Sequence, residues 1–442
     1  MKRIAYLMLC ATMMIFACKK EKEVQVHSVT VQLTYPASSS FTANAGVTVK
    51  LTGKGTAFEA KTNAEGKATF SVPTDIYEIS ATDARSKAGT AFIYNGVKSN
   101  VAIIDGWNAA EIISLSLTES KTSQLVVKEI YTGGVQRDDN SGTFNYDRYI
   151  ILYNNSSTVA NLNNICLATT MPYSSTGGNS KYYGADGNLT YASQGWIPAG
   201  QAFWYFQQNV ELQPGEQIVI ATANAVNNTV TYTKSINFAN ANYYAMYDIA
   251  NFTHALTYPT PSDAIPTSHY LKVAKYGAGT AWTLSNASPG LFIFALDGVA
   301  PLTFSSDASS NDLYGGAATL ISKKVPVSWI VDGVEAFEIG GSGNQKRFTA
   351  AVDAGYVYHR TGLGYAMYRN VDKAATEAIT TNKDKIVYNY ALGTTDITSG
   401  STDPSGIDAE ASIKKGARII YKDTNNSSND FHLRSKASLR AN

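Results

Sequence analysis

The sequence predicts an all-β protein built from two β-sandwich domains. Two observations predict it. Short Val/Ile/Tyr/Thr runs recur between Gly- and Asn-rich turns, and long segments of helical period are scarce. The composition agrees: 28 tyrosines, only 16% charged residues, and 44% hydrophobic residues, enough to build real cores. A chain of 442 residues is too long for one ordinary domain.

The first twenty-odd residues read as an export segment. Lys2 and Arg3 precede a nearly apolar run, Ile4 to Ala17, which is too short to span a bilayer. The run ends in Ile15-Phe16-Ala17-Cys18 and switches at once to Lys19-Lys20-Glu21-Lys22-Glu23. Ile15 to Cys18 resembles a bacterial lipobox. That resemblance implies a signal peptide over 1–17, cleavage before Cys18, and lipidation of the Cys18 thiol, which would hold the protein to a membrane. Phe16 is bulkier than the strictest pattern. Residues 18–23 are too charged to pack and serve as a tether. They also loosely resemble signals that send some lipoproteins of Bacteroidetes to the cell surface. The expected location is the cell envelope, as an outer-membrane lipoprotein facing either the surface or the periplasm.

Losing Lys2 and Arg3 takes the formal charge from +1 to −1, so no basic balance favours nucleic acid. With Cys10 in the removed segment and Cys18 lipidated, Cys166 has no disulfide partner; it lies in the apolar run ICLATT and reads as core.

Residues 24–119 carry about seven strand signals. Val29, Val31 and Leu33 share one face, as do Val47, Val49 and Leu51, and Ala68, Phe70 and Val72. Gly66 ends a turn, Asn63-Ala64-Glu65-Gly66, that needs a left-handed residue. Ile76, Tyr77 and Ile79 continue into another strand, and Ile112 or Ile113 opens the last. The stretch Lys61 to Ala68, with Val72-Pro73 and Tyr77-Glu78-Ile79, resembles carboxypeptidase-regulatory-like (prealbumin-like) domains, although Asp75 stands where that family has glycine. The resemblance implies a structural spacer.

Residues 122–442 begin with Leu125 to Ile130, followed by strand-like Tyr149 to Tyr153, the turn-and-strand Leu212 to Ala221, and Trp329 to Ala336. With Tyr365 to Arg369 and the closing Asp423-Thr424-Asn425-Asn426-Ser427-Ser428-Asn429-Asp430-Phe431, these stretches resemble, in order, a lamin-tail domain, an immunoglobulin-like sandwich. Ile151 replaces that family's glutamate, the serine before the arginine is changed, and the domain is about twice the usual length, which implies long insertions. The whole chain resembles an uncharacterised lipoprotein family of Bacteroidetes. That likeness implies a TonB-dependent outer-membrane transporter as partner and no particular reaction.

Aromatics concentrate in two inserts. One, Met171 to Phe206, holds Tyr173, Tyr182, Tyr183 and Phe203 to Phe206; the other holds Tyr243 and Tyr244. Tyrosine on a loop gives large contact area at low entropic cost, which suits ligand, partner or sugar contacts. Phe203 to Phe206 read instead as a core hairpin. Tyr173, Tyr182 and Tyr183, set among Gly and Asn, are expected at the surface.

The chain has no His-Glu-x-x-His or Gly-x-Ser-x-Gly pattern, and its five histidines lack ligand spacing. Asp423, Asn425 and Asp430 have calcium-like spacing, but Ser428 and Arg434 occupy the positions where an EF-hand needs Gly and Glu. A turn stapled by Asp and Asn side chains is the better reading. No cofactor is implied. The expected function is therefore non-catalytic: a cell-envelope binding or accessory protein of a transporter. The alternatives are a glycan-acting hydrolase, whose paired carboxylates would meet only in space, and an adhesin.

Overall fold

The structure is a computed structural model that describes residues 25–39, 41–54, 56–87, 90–121, 124–176, 181–296, 298–395 and 400–440. The signal segment, Cys18 and the tether lie outside these. Among the described residues no helix is long and apolar enough to cross a membrane.

The chain divides into two compact units. The smaller holds the described residues through Thr34, Thr42–Ala81 and Val97–Ser116; the larger holds Tyr35–Phe41, Thr82–Gly96 and everything from Leu117 onward. The first eight strands are β1 (Val26–Thr34), β2 (Thr48–Gly53), β3 (Thr56–Lys61), β4 (Lys67–Pro73), β5 (Asp75–Lys87), β6 (Thr90–Ile103), β7 (Ile112–Ser116) and β8 (Thr118–Lys121). They form a three-stranded sheet, β4-β1-β7, and a five-stranded one, β3-β2-β5-β6-β8. The alternation legible in the sequence is the burial pattern: Val29, Val31, Leu33, Val49, Leu51, Ala68, Phe70 and Val72 all point inward. Ile113 is buried and Ile112 exposed. Gly66 has φ +77° and its N–H donates to Asn63 O at 2.9 Å, closing the expected turn.

In the larger unit follow β9 (Leu125–Tyr131), β10 (Val135–Gln136), β11 (Thr143–Phe144), β12 (Tyr149–Asn154), β13 (Ala160–Asn161), β14 (Ile165–Thr170), β15 (Trp196–Tyr205), β16 (Glu211–Leu212) and β17 (Gln217–Ala221). Then come β18 (Tyr244–Met246), β19 (Tyr270–Lys275), β20 (Gly290–Ala295), β21 (Asn311–Leu313), β22 (Ile321–Pro326), β23 (Ile330–Glu338), β24 (Val357–His359), β25 (Ala366–Arg369) and β26 (Phe431–Arg434). Twelve of them pair in the order β24-β23-β20-β14-β15-β19-β18-β17-β12-β9-β25-β26, with β22 also on β15 and β21 on β22. The two arms of this ladder meet at the parallel pairs of β18 with β17 and β19. They fold face to face. Val127, Ile150, Leu152 and Ile218 from one arm share a core with Leu167, Trp204, Ile293 and Val334 from the other.

The outer faces of both arms are also covered. Tyr149 and Ile151 lie under the Ile236–Phe238 segment, Tyr153 under Ile407–Tyr421, and Cys166, Ala168, Phe292 and Phe294 under Phe304 and Val325. Strands buried on both faces read as continuous apolar runs, which is why YIILYN and ICLATT do not alternate. It also explains an apolar residue at Ile151: the side chain faces a second core instead of solvent. The fold is thus an all-β sandwich whose long insertions act as outer layers.

A polar cleft as candidate functional site

A cleft of about 1490 Å³ opens in the larger unit, where separated stretches meet: Asn155–Thr158 after β12, Gly393–Thr395 with Gly400–Thr402, Ile420–Thr424, and Ser428–His432. Thr82, Ile93, Gln124, Asn370 and Asp372 also line it. The lining is dominated by hydroxyl and amide side chains; its charged residues are Asp372, Lys422 and Asp423.

Much of this polar lining is already held in place. Asn155 donates from Nδ2 to Tyr421 O (2.9 Å) and accepts Tyr421 N–H on Oδ1 (2.8 Å), fixing one wall. Asn370 donates from Nδ2 to Asn429 O (2.8 Å), so its Oδ1 is an acceptor and takes the Nδ1–H of His432 (2.8 Å). His432 Nε2 then accepts from Tyr390 O–H (2.6 Å). One neutral tautomer satisfies the chain Tyr390–His432–Asn370. Burial, with Arg434 adding repulsion, pushes the imidazole pKa down to about 3, so His432 stays uncharged.

The carboxylates are likewise engaged. Asp372 Oδ1 accepts Ala375 N–H (3.0 Å) and caps the short helix Lys373–Glu377. Asp423 Oδ1 lies 3.4 Å from Arg369 Nη1. What the cleft presents is therefore mainly hydrogen-bonding groups, with the Lys422 ammonium beside two engaged carboxylates. Among the described residues, the hydroxyls of Ser157, Thr395 and Thr402 make no side-chain hydrogen bond and remain available at its surface.

Behind this wall sits a buried charge centre. The Arg369 guanidinium pairs with Asp332, donates to Val127 O (2.8 Å) and Lys422 O (2.9 Å), lies 3.9 Å from Asp430, and stacks 4.5 Å from the Phe431 ring centroid. The arginine of the Tyr365–Arg369 stretch and the closing Asp423–Phe431 motif, more than fifty residues apart, are thus one structural unit. Within it, Asp430 accepts Thr424 N–H (2.8 Å), Thr424 Oγ1–H (2.7 Å) and Asn426 N–H (3.2 Å). Asn425, at φ +49°, turns its backbone carbonyl toward Ala354 N–H (2.7 Å). The calcium-like spacing of Asp423, Asn425 and Asp430 therefore folds as a stapled turn around a guanidinium.

A second buried cluster flanks it. Lys128 Nζ lies 2.6 Å from both Glu410 Oε1 and Gln217 Oε1, under the rings of Tyr368 and Tyr421. Burial alone would raise Glu410, but the Lys128 charge and the Tyr368 hydroxyl hold its pKa down to about 2.

The tyrosines expected to make contacts lie away from the cleft lining. Tyr182 corrects an expectation: it is buried at 5% exposure, its hydroxyl donating to Asp312 at 2.6 Å, because its insert is an outer layer of the sandwich. Tyr173 and Tyr183 are half-buried and tied by Gln201 N–H (3.0 Å) and Lys346 O (2.9 Å). Tyr243 and Tyr244 are half-buried too, and Tyr244 stacks on His269 with centroids 4.1 Å apart. Phe203, Trp204 and Phe206 are core, as read from the sequence. The cleft residues carried one sequence signal, the Ser/Thr/Asn/Gly-rich runs at 154–158 and 393–402, which mark loops but not which loops meet.

Residues 213–389 match the model of a family described as "Protein of unknown function (DUF4876)". That span includes β17 through β25 and the Asn370 and Asp372 side of the cleft. No curated protein matches the chain. A crystal structure of a DUF4876 family protein from Bacteroides thetaiotaomicron VPI-5482 is similar over 92% of this chain and 94% of that one, with a TM-score of 0.51 and 18% identity. At that identity the likeness speaks for the fold, and together the two matches support the sequence's resemblance to an uncharacterised family of Bacteroidetes.

Proposed function

We propose that this chain is a lipid-anchored binding protein of the bacterial cell envelope, whose cleft holds a large, polar, uncharged ligand beside a TonB-dependent outer-membrane transporter. The observation that carries the binding role is the cleft itself: about 1490 Å³, lined by hydroxyls and amides, with its histidine neutral and its carboxylates engaged. The Cys18 lipobox-like segment supports the anchor, and the resemblance to transporter-associated lipoproteins supports the partner. Purification of the full-length lipidated protein from its native outer membrane in mild detergent tests the reading. An outer-membrane transporter should co-purify, and native mass spectrometry should find a bound small molecule that Thr402→Trp, which fills the cleft rim, abolishes. A protein that emerges alone removes the partner, and an unoccupied wild type removes the cleft ligand. Cys18→Ala should move the protein to the soluble fraction.

A further inference from the structure

At one end of the second arm, three neighbouring strands stop together. Ile165, the first residue of β14, pairs with Ala295, the last of β20, and Phe294 pairs with Ile330, the first of β23. A groove of about 660 Å³ lies across these ends, separate from the cleft residues. It is lined by Trp329, Ile330 and Val331 and by the turn bearing Asn161, Asn163 and Asn164.

The local geometry builds this groove. Ile293 pairs with Asp332 and Phe294 with Ile330, so Val331 is an extra residue in a β-bulge. A bulge turns neighbouring side chains out of strict alternation and recurs beside sites. Trp329 ends the short helical turn Val327–Trp329 and rests edge-to-face on Phe304, centroids 5.3 Å apart. It is half-buried, braced by Phe304, and is one of the residues lining the groove. The asparagine turn is rigid: Asn163 N–H donates to Asn161 Oδ1 (2.8 Å) and Ile165 N–H to Leu162 O (3.0 Å). Asn163 and Asn164 are exposed, and among the described lining residues none is charged.

An aromatic face beside amides, each offering donors and an acceptor, suits a ring with an apolar C–H face and a perimeter of hydroxyls. We propose that this groove is a binding site for a neutral pyranose unit of a glycan, stacked on Trp329 and hydrogen-bonded by Asn163 and Asn164. It is independent of the cleft. Lack of charge disfavours uronates and sulfated sugars, which bring anions with no cation to receive them.

The test uses the full chain in mild detergent, titrated with neutral hexasaccharides (α- and β-linked glucose and mannose series) and with a polyuronate, read by tryptophan emission and calorimetry. At least one neutral series should give a saturable response. Trp329→Ala should abolish it. Trp329→Phe, which keeps a ring against Phe304, should weaken it. Asn163→Ala/Asn164→Ala, on an exposed turn, should weaken it about tenfold with an unchanged melting temperature. Thr402→Trp in the cleft should leave it intact. The assignment is overturned if no neutral series binds, if the polyuronate binds more tightly, or if Trp329→Ala binds as wild type does. Loss with Thr402→Trp but not with Trp329→Ala would place the glycan in the cleft and overturn this site alone.

Discussion

His359 is fully buried, and its Nε2 lies 3.0 Å from Thr132 Oγ1. That hydroxyl donates to Asn286 O (2.9 Å), so its oxygen must accept, and His359 is the neutral Nε2–H tautomer. Among the described residues Nδ1 has no hydrogen-bond partner, and burial pushes the pKa down from 6.5 to about 4. The sign follows: between these values the unfolded chain takes up a proton that the folded one refuses, so stability is lost as pH falls through this window. The loss approaches about 1.4 kcal/mol per pH unit. His359→Gln keeps a donor for Thr132 and removes the titration. Urea unfolding of both proteins from pH 7 to 4 should show the wild type losing ground against His359→Gln by about that slope; parallel curves would mean that His359 titrates normally. None of this was legible in the sequence, where five histidines look alike. Arg369 was half legible: its stretch and the Asp423–Phe431 motif could each be singled out, but that one closes on the other depends on folding.

Strands show the same division. β1, β2 and β4 bury one face in the smaller unit, so alternation gave their burial residue by residue. In β12, β14 and β20 both faces are covered, and the pattern reports burial without saying by what. The inserts looked like aromatic surface loops because Gly and Asn punctuate them. Their tyrosines instead face strands whose second side would otherwise be bare, as Tyr182 and Tyr191 do in the layer over Phe203. Glycine marks how closely the layers approach. A Cβ at Gly290, in β20, would come within 2.5 Å of Thr170 Cγ2 and 3.1 Å of Arg347 Cζ. Arg347 is buried on Glu335, with Nε at 2.8 Å and Nη2 at 2.5 Å from Oε1. Gly290→Ala should therefore cost about 1–3 kcal/mol by overpacking, and more if the ion pair is displaced. Gly279→Ala, whose Cβ would meet nothing closer than 3.5 Å, should stay within about 0.5 kcal/mol. Urea midpoints of the two variants decide it; equal midpoints would mean that β20 has room to move.

The larger unit is closed by its last residues. β26 pairs with β25, and β25 pairs with β9, more than two hundred residues earlier in the chain. Ser438 N–H donates to Glu129 Oε1 (2.9 Å), and its hydroxyl to Oε2. Ser427 N–H and hydroxyl meet Asp353 (2.8 and 2.5 Å). Glu129 and Asp353 are buried carboxylates whose pKa burial raises, and these donors offset part of that cost. Asp423 and Asp430 complete the surroundings of Arg369. Removing residues 423–442 would strip partners from three buried charged groups at once. It would also expose the edge and buried face of β25. Breaking one buried pair costs about 3–5 kcal/mol, against about 5–15 kcal/mol for the whole stability of a typical domain. A chain ending at Lys422 should therefore fail to form the larger unit, although it keeps every other strand of the ladder. Near-UV circular dichroism and limited proteolysis check this: the truncated chain should lose its aromatic signal and its protease resistance in the larger unit. A native spectrum would mean that the ladder closes without its final strand. Because β25 pairs with β9 across more than two hundred residues, the sandwich closes through non-local contacts, which places it among slow folders.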